Sequence, residues 1–230
     1  MILILKIILF CIICFILYSV LYSVYNYNKI GEFFWIKKKL NMFDIYIPNI
    51  LWENTEQYYL NKYLDKNDVV LQLGGNIGTS CIFADKILDK KNKQMCVEPN
   101  LGIIKILEEN KIENDSKFLI IDGVITNKTD VYLNNKEFDD IAFTTTDKNT
   151  GIKLKTYRLD TLEDFNVLFA DCEGCLVDFI KEYPELLTKI NKIIYEKDNT
   201  EEFSYDYIEN LFKQNNFIQK EKGFVCVWTK

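Results

Sequence analysis

Histidine is absent from the 230-residue sequence. It is the side chain that most often acts as a proton acceptor near neutral pH, and it is the commonest metal ligand. Its absence therefore excludes a histidine-based metal site, and we assign no metal ligand. Any general base must be another group, such as a carboxylate whose pKa is raised by its surroundings.

The sequence also lacks the charge pattern of a nucleic-acid-binding protein. Its 28 basic residues are interleaved with 34 acidic ones, which gives a net charge of −6. No basic stripe and no module of aromatic and basic residues occurs, so we expect no nucleic-acid partner. There is no internal repeat or low-complexity linker, and about 200 residues after the first apolar segment suit a single domain.

A membrane anchor is predicted near the amino terminus. Residues 7–25 form an uncharged run of 19 residues, which as a helix of about 1.5 Å per residue roughly matches the ~30 Å hydrocarbon core of a bilayer. A cleaved signal peptide is the alternative, but the run is long for one and lacks a small-residue cleavage site. Lysines after the run outnumber Lys6 before it, which predicts a single-pass protein with a cytosolic domain.

We therefore divide the chain into an anchor (residues 1–28), a juxtamembrane connector rich in aromatics and lysines (residues 29–50) and a folded domain (residues 51–230). Asn114 and Asn127 begin acceptor-type glycosylation triplets that would matter only in a luminal domain. Five cysteines follow the anchor. Because this number is odd and no disulfide framework is evident, we expect these cysteines to stay reduced.

A glycine turn between a strand and a helix is the centre of the domain. Residues 69–73 form a mainly apolar run, which is typical of a strand covered on both faces, and residues 81–88 have helical spacing. Between them lie Gly74, Gly75, Asn76 and Gly78. Without a Cβ atom the backbone can approach a ligand, and the N–H groups of the helix start face it. A nucleotide-type site is predicted, with a purely structural turn as the alternative.

Two acids follow the next predicted strands. Glu98 comes after Met95–Val97 and could accept both ribose hydroxyls, as in dinucleotide-binding domains and in methyltransferases that bind S-adenosylmethionine. The spacing G-G-x-x-G disfavours a dinucleotide, whose usual pattern is G-x-G-x-x-G. Asp122 follows the strand predicted at Phe118–Ile121, where an acid can lie near the adenine, although an Asp-Gly turn explains it equally well.

A second part of the site is predicted after the strand Val167–Ala170. Ligands in open α/β sheets lie outside the carboxyl ends of strands, so Asp171 and Glu173 would point toward the same crevice. We predict that Asp171 positions cofactor or substrate and that Glu173 is the base; capping of the next helix is the alternative. Residues 172–175 also spell C-x-x-C, but without a second C-x-x-C a zinc site or thiol redox site is disfavoured.

Five motifs in this order resemble the FkbM-type methyltransferases: Val70–Gly78, Val97–Asn100, Leu159–Leu162, Asp171–Gly174 and Ile193–Glu196. The resemblance spans most of the chain after residue 50. It implies a doubly wound, mostly parallel seven-stranded sheet of the Rossmann-like kind. It also implies methyl transfer from S-adenosylmethionine, typically to an oxygen of a sugar or other small molecule. An antiparallel hairpin predicted at residues 217–220 and 224–228 fits the same sheet.

The cofactor-binding residues are then predicted to be Gln72, Gly74, Gly75, Asn76, Gly78, Glu98, Asp122 and Asp171, and the catalytic residues Glu173 and Asp171. Two positions depart from the family pattern, which usually has Asp in place of Gln72 and a second acid in place of Leu176. Glutamine cannot bring a negative charge to the methionyl ammonium, so we expect Gln72→Asp to tighten cofactor binding. A catalytically inactive binding or scaffold protein, and a nucleotide-sugar or nicotinamide enzyme on the same fold, are the alternatives.

Overall fold

The computed structural model describes residues 14, 18, 21, 32–40, 43–89, 94–134, 143–145, 151–198 and 204–230. Apart from three single positions, the membrane run predicted at residues 7–25 lies outside these residues. Within the part of the chain that is described, no helix is both long enough and apolar enough to cross a bilayer.

Short strands and helices alternate through the domain. The strands are β1 (Trp35–Leu40), β2 (Phe43–Pro48), β3 (Val70–Leu73), β4 (Gln94–Val97), β5 (Leu119–Ile121), β6 (Val124–Ile125), β7 (Tyr132–Asn134), β8 (Phe143–Thr145), β9 (Ile152–Lys153), β10 (Thr156–Tyr157), β11 (Val167–Ala170), β12 (Lys192–Glu196), β13 (Ile218–Glu221) and β14 (Val225–Thr229). The helices are α1 (Asn54–Tyr63), α2 (Thr79–Ile87), α3 (Leu101–Glu113), α4 (Cys175–Glu182), α5 (Leu186–Lys189) and α6 (Tyr205–Gln214).

Seven of the strands form one sheet in the order β13-β14-β12-β11-β3-β4-β5. Strands β12, β11, β3, β4 and β5 are parallel, whereas β14 is antiparallel to both of its neighbours. The predicted doubly wound, mostly parallel sheet that ends in an antiparallel hairpin is therefore confirmed. Strand β3 is the middle one of the five parallel strands, which places the glycine turn at the centre of their carboxyl edge.

Both faces of the sheet are covered, as the apolar runs predicted. On β11, Val167 and Phe169 contribute to one core and Leu168 and Ala170 to the other, because successive strand residues point to opposite faces. Helices α1, α2 and α3 pack in the first core and α4, α5 and α6 in the second. Burial on both faces explains why these strands read as continuous apolar runs.

The hairpin of β1 and β2 packs against the domain. Phe34 and Ile36 are buried in the same core as α1, α2 and α3. The backbone N–H of Lys37 donates to Asn110 Oδ1 on α3 at 2.7 Å, and Asn110 Nδ2 donates back to the Lys37 carbonyl at 2.9 Å. Part of the segment predicted as a connector is thus attached to α3 by a pair of hydrogen bonds.

Two features of the structure were not indicated by the sequence. Within the described part of residues 131–157, β7, β8 and β9 form a small antiparallel sheet and β10 pairs with β6. The domain cysteines were expected to be unpaired, but Cys81 is joined to Cys96 and Cys172 to Cys175. The pairing of Cys81 with Cys96 depends on a contact between α2 and β4 that the local sequence pattern does not reveal, whereas Cys172 and Cys175 belong to the C-x-x-C pattern noted in the sequence.

Candidate functional site

A crevice at the carboxyl edge of the sheet is the candidate site. Strands β3 and β11 are parallel neighbours, and the chain continues from β3 toward β4 on one side and from β11 toward β12 on the other. Such a reversal of strand order opens a crevice between the loops that follow the two strands, and ligands of open α/β sheets bind there. The glycine turn follows β3, and the loop from Asp171 to Gly174 follows β11.

The glycine turn has a conformation that only glycine tolerates well. Gly74 has a φ angle of +87°, and a Cβ atom there would lie 1.7 Å from the backbone oxygen of Asp171. Gly78 has a φ angle of +99° and directly precedes α2. Because Gly74 lacks a side chain, the two loops of the crevice touch through their backbones.

Gln72 lies beneath this turn and is fully buried. Its Nε2 donates to the carbonyl oxygen of Gly74 at 2.9 Å and to Ser80 Oγ at 2.8 Å, and its Oε1 accepts from Gln94 Nε2 at 3.0 Å. The amide therefore connects the strand, the turn and the first turn of α2. Both donors of the amide are used within the protein, which an aspartate could not reproduce.

Glu98, at the end of β4, is buried and is bonded to the backbone of the turn. Its Oε2 accepts from the N–H of Asn76 and its Oε1 from the N–H of Asn100, both at 2.7 Å. The N–H of Gly75 is a further partner, while burial is the main cause that raises the pKa of Glu98. A carboxylate has about four acceptor positions. With three backbone donors bound, Glu98 keeps room for one more donor.

Asp122 is engaged at the start of the β6–β10 region. Its carboxylate pairs with Lys155 and accepts from Tyr157 Oη at 2.5 Å. The hydrogen bond from Lys155 is the main cause that lowers the pKa of Asp122. These contacts tie the end of β5 to β10, in keeping with the structural alternative for this residue.

The loop after β11 presents Asp171 and Glu173. The N–H of Asp171 donates to the carbonyl of Leu73 at 3.0 Å, which continues the pairing of β11 with β3. Glu173 and Gly174 have φ angles of +53° and +84°, and together they turn the chain into α4. A non-glycine residue in the left-handed region is uncommon, and such residues are often found at functional sites.

Six acidic side chains interact electrostatically in this part of the crevice: Glu53, Glu56, Asp171, Glu173, Glu196 and Asp198. Burial, followed by the neighbouring carboxylates, raises the pKa of Asp171 to about 7 and that of Glu196 to about 9. Burial and then Asp171 raise the pKa of Glu53 to about 8. The carboxyl of Glu196 is hydrogen-bonded to both Asp171 and Glu56. Close carboxyl groups of this kind share protons near neutral pH.

Two buried oxygen atoms of the glycine turn have no hydrogen-bond partner among the described residues. They are Asn76 Oδ1 and Thr79 Oγ1, and Thr79 is fully buried at the start of α2. Buried polar atoms are normally paired, so each of these oxygens is a candidate contact for a bound molecule.

The sequence missed four members of the acidic group. Glu196 ends one of the motifs that carry the family resemblance and lies at the end of β12, so the motif could have identified it. Asp198 follows it closely. Glu53 and Glu56 lie at the start of α1, far from the other acids in the sequence, and only the fold brings them together.

Neither a protein-family model nor a curated protein sequence matches the chain. Three solved structures similar to it are a methyltransferase from Pyrococcus furiosus (14% identity, TM-score 0.48, 76% of this chain and 81% of the other), a precorrin-6y C5,15-methyltransferase from Geobacter metallireducens GS-15 (12%, 0.49, 77% and 88%) and an RNA methyltransferase from Salinibacter ruber in complex with S-adenosyl-L-homocysteine (11%, 0.42, 76% and 88%). All three TM-scores are below 0.5, so we draw no conclusion about this chain from these structures. The seven-stranded sheet with its reversed strand β14 has the strand arrangement that the sequence predicted for a Rossmann-like fold.

Proposed function

We propose that this chain is an S-adenosylmethionine-dependent methyltransferase of the FkbM type that acts on a hydroxyl oxygen of a small molecule or glycan. The observation that supports this proposal is the acidic group of the crevice. S-adenosylmethionine carries positive charge on its sulfonium and its ammonium, whereas dinucleotides and nucleotide sugars carry a diphosphate. Charge complementarity therefore favours S-adenosylmethionine, and repulsion disfavours the diphosphate ligands.

The residues of the crevice suit this cofactor in three respects. The positive φ angles of Gly74 and Gly78 leave backbone exposed at the turn. Asn76 Oδ1 and Thr79 Oγ1 lack partners among the described residues, and Glu98 keeps one acceptor position. These groups would hold the nucleoside portion. Asp171 in the opposite loop, which is in part ionised at neutral pH, would supply negative charge that Gln72 does not.

When bound, S-adenosylmethionine supplies an electrophilic methyl group. The single proton of the attacking hydroxyl is then accepted by Glu173, the predicted base, or by Asp171 in the same loop. A carboxyl with a pKa of about 7, as for Asp171, is in part ionised at neutral pH and is a stronger base than an exposed carboxylate. Glu196 contacts Asp171 and favours the charged form of Asp171 through their hydrogen bond.

Cofactor choice is tested by titration calorimetry of the full chain in detergent micelles with S-adenosylmethionine, NAD and a nucleotide sugar. We expect binding of S-adenosylmethionine alone. Thr79→Val removes an oxygen with no partner among the described residues, so it should weaken that binding while the urea midpoint is kept. Thr188→Val is the matched control, since its exposed hydroxyl on α5 is bonded to the carbonyl of Glu185 and lies outside the crevice. Tighter binding of NAD, or no binding of S-adenosylmethionine at millimolar concentration, would refute the proposal.

The membrane topology belongs to the same proposal. We propose that residues 7–25 anchor the chain as a single-pass protein with a cytosolic domain, supported by the length of the uncharged run and the lysines after it. Expression in a eukaryotic cell followed by glycosidase treatment tests the orientation. We expect no change in mobility; a shift that disappears in an Asn114→Gln/Asn127→Gln variant would place the domain in the lumen.

A further inference from the structure

The Cys172–Cys175 bond encloses the candidate base. Its two Cα atoms are 5.4 Å apart, and Glu173 and Gly174, with their positive φ angles, lie between them. Both cysteines are partly exposed in the crevice loop. The bond therefore constrains the backbone that carries Glu173, and both of its residues are partly exposed although they also pack against the core of α4, α5 and α6.

The same loop is in contact with the glycine turn. The missing Cβ atom of Gly74 would lie 1.7 Å from the backbone oxygen of Asp171 and 3.3 Å from Cys172 Cα. A change in the backbone of residues 171–174 would therefore change the space beside the turn. The two halves of the crevice are mechanically linked at this contact.

The second cysteine pair provides an internal comparison. Cys81 on α2 and Cys96 on β4 are both fully buried beneath the turn, and the position that a Cβ of Gly75 would take is 2.6 Å from Cys96 Sγ. Thiol–disulfide exchange requires approach of a thiolate to a sulfur atom. In the folded protein both residues of this pair are fully buried, whereas Cys172 and Cys175 are partly exposed.

We propose that Cys172 and Cys175 form a thiol–disulfide exchange site for small thiols, whose oxidised form holds the loop carrying Asp171 and Glu173 in place at the crevice. The thiolate of a dithiol reagent attacks Cys172 Sγ, the bond between the two cysteines breaks, and its electron pair leaves on Cys175 Sγ. The second reagent thiol then displaces Cys172. Two protein thiols and one oxidised reagent result, and the two reagent protons end on the cysteines.

Cys175 is the expected leaving group because it is the first residue of α4, where the positive end of the helix dipole stabilises a thiolate. The acids beside Cys172, Asp171 and Glu173, lead to a second expectation. They repel an anionic thiol, so a neutral dithiol such as dithiothreitol should react faster than glutathione, and added salt should reduce the difference.

The test treats the full chain in detergent micelles with increasing dithiothreitol, followed by alkylation and peptide-resolved mass spectrometry. Cys172 and Cys175 should become alkylated while the protein is folded, and Cys81 and Cys96 only in denaturant. Hydrogen exchange of residues 171–176 and 74–78 should become about tenfold faster on reduction. The Cys172→Ser/Cys175→Ser variant should exchange at the faster rate in both conditions, and Cys226→Ser, at a cysteine outside both pairs, should behave as wild type.

Resistance of Cys172 and Cys175 to dithiothreitol in the folded protein, or exchange rates that do not change on reduction, would overturn the proposal. Binding of S-adenosylmethionine is measured separately in the oxidised and the reduced protein, because this part of the test rests on the proposed function. Weaker binding of S-adenosylmethionine after reduction supports both ideas. Faster exchange with no binding in either state would refute the proposed cofactor and leave the exchange site supported.

Discussion

Replacing Gln72 by glutamate tests how the base of the glycine turn is held. Glutamate has nearly the same shape, but it turns the Nε2 group, which donates to Gly74 and Ser80, into an oxygen. When ionised, this oxygen faces the carbonyl of Gly74 without a proton between them. When protonated, it can restore one of the two lost hydrogen bonds.

The size of the effect follows from these contacts. One lost hydrogen bond costs about 1 kcal/mol at any pH. Burial can raise the pKa of a carboxyl from about 4.3 to roughly 7. Since the folded state then keeps its proton longer than the unfolded state, stability falls as the pH rises between these values, by about 1.4 kcal/mol per pH unit. We expect a total loss of about 2 kcal/mol at pH 5 and about 5 kcal/mol at pH 8.

Urea unfolding of the full chain at pH 5 and pH 8 measures these losses relative to wild type. Gln72→Met is the matched control because it removes the same donors without a titrating group, so its loss should not depend on pH. The reasoning is refuted if the glutamate variant shows equal losses at both pH values, or if it is as stable as wild type at pH 8. The same burial predicts that Gln72→Asp destabilises the turn, in contrast to the tighter cofactor binding expected from the sequence.

Three further predictions concern neighbouring residues. Gly74→Ala places a Cβ atom against the backbone of Asp171 and should cost more than about 3 kcal/mol in thermal unfolding, while Gly223→Ala, where the nearest atom is 3.9 Å away, should change little. Burial raises the pKa of Glu196 to about 9, so Glu196 in the folded protein keeps a proton that the unfolded protein loses above about pH 4.3. The free energy of unfolding should therefore fall as the pH rises through this window. Glu196→Gln should make the urea midpoints measured at pH 5, 7 and 9 less dependent on pH. Glu98→Gln removes a charged acceptor of backbone N–H groups and should cost about 1.5–3 kcal/mol; an unchanged urea midpoint would contradict this role.

The parts of the fold that the sequence predicts well are those with a local signal. Val167–Ala170 is a strand with the predicted bounds, because a strand covered on both faces is apolar at successive positions. The turn after β3 is likewise marked by its glycines. Such features are visible in a few consecutive residues and need no knowledge of the partner strands.

The rest depends on residues that are distant in the chain. Strand β10 is only two residues long and exists through its pairing with β6, so no local pattern marks it. Glu53 joins the acids after β11 and β12 only because α1 begins at the same edge of the sheet. The hydrogen bonds of Gln72 were not predicted for a related reason: its partners Ser80 and Gln94 become its neighbours only in the fold.

Asn110 gives the amino-terminal hairpin a mechanical connection to the site. Its Nδ2 donates to the carbonyl of Ile77 in the glycine turn at 2.8 Å as well as to Lys37 of β1. Only residues 26–31 separate the uncharged run from Glu32, and a fully extended chain covers roughly 25 Å between Tyr25 and Glu32. If the proposed topology holds, residues 26–31 are a short linker, and the crevice would lie within one domain's width of the bilayer. The methyl acceptors that reach the crevice would then be those concentrated at the membrane surface. A force on the linker would be transmitted through β1 and Asn110 to Ile77.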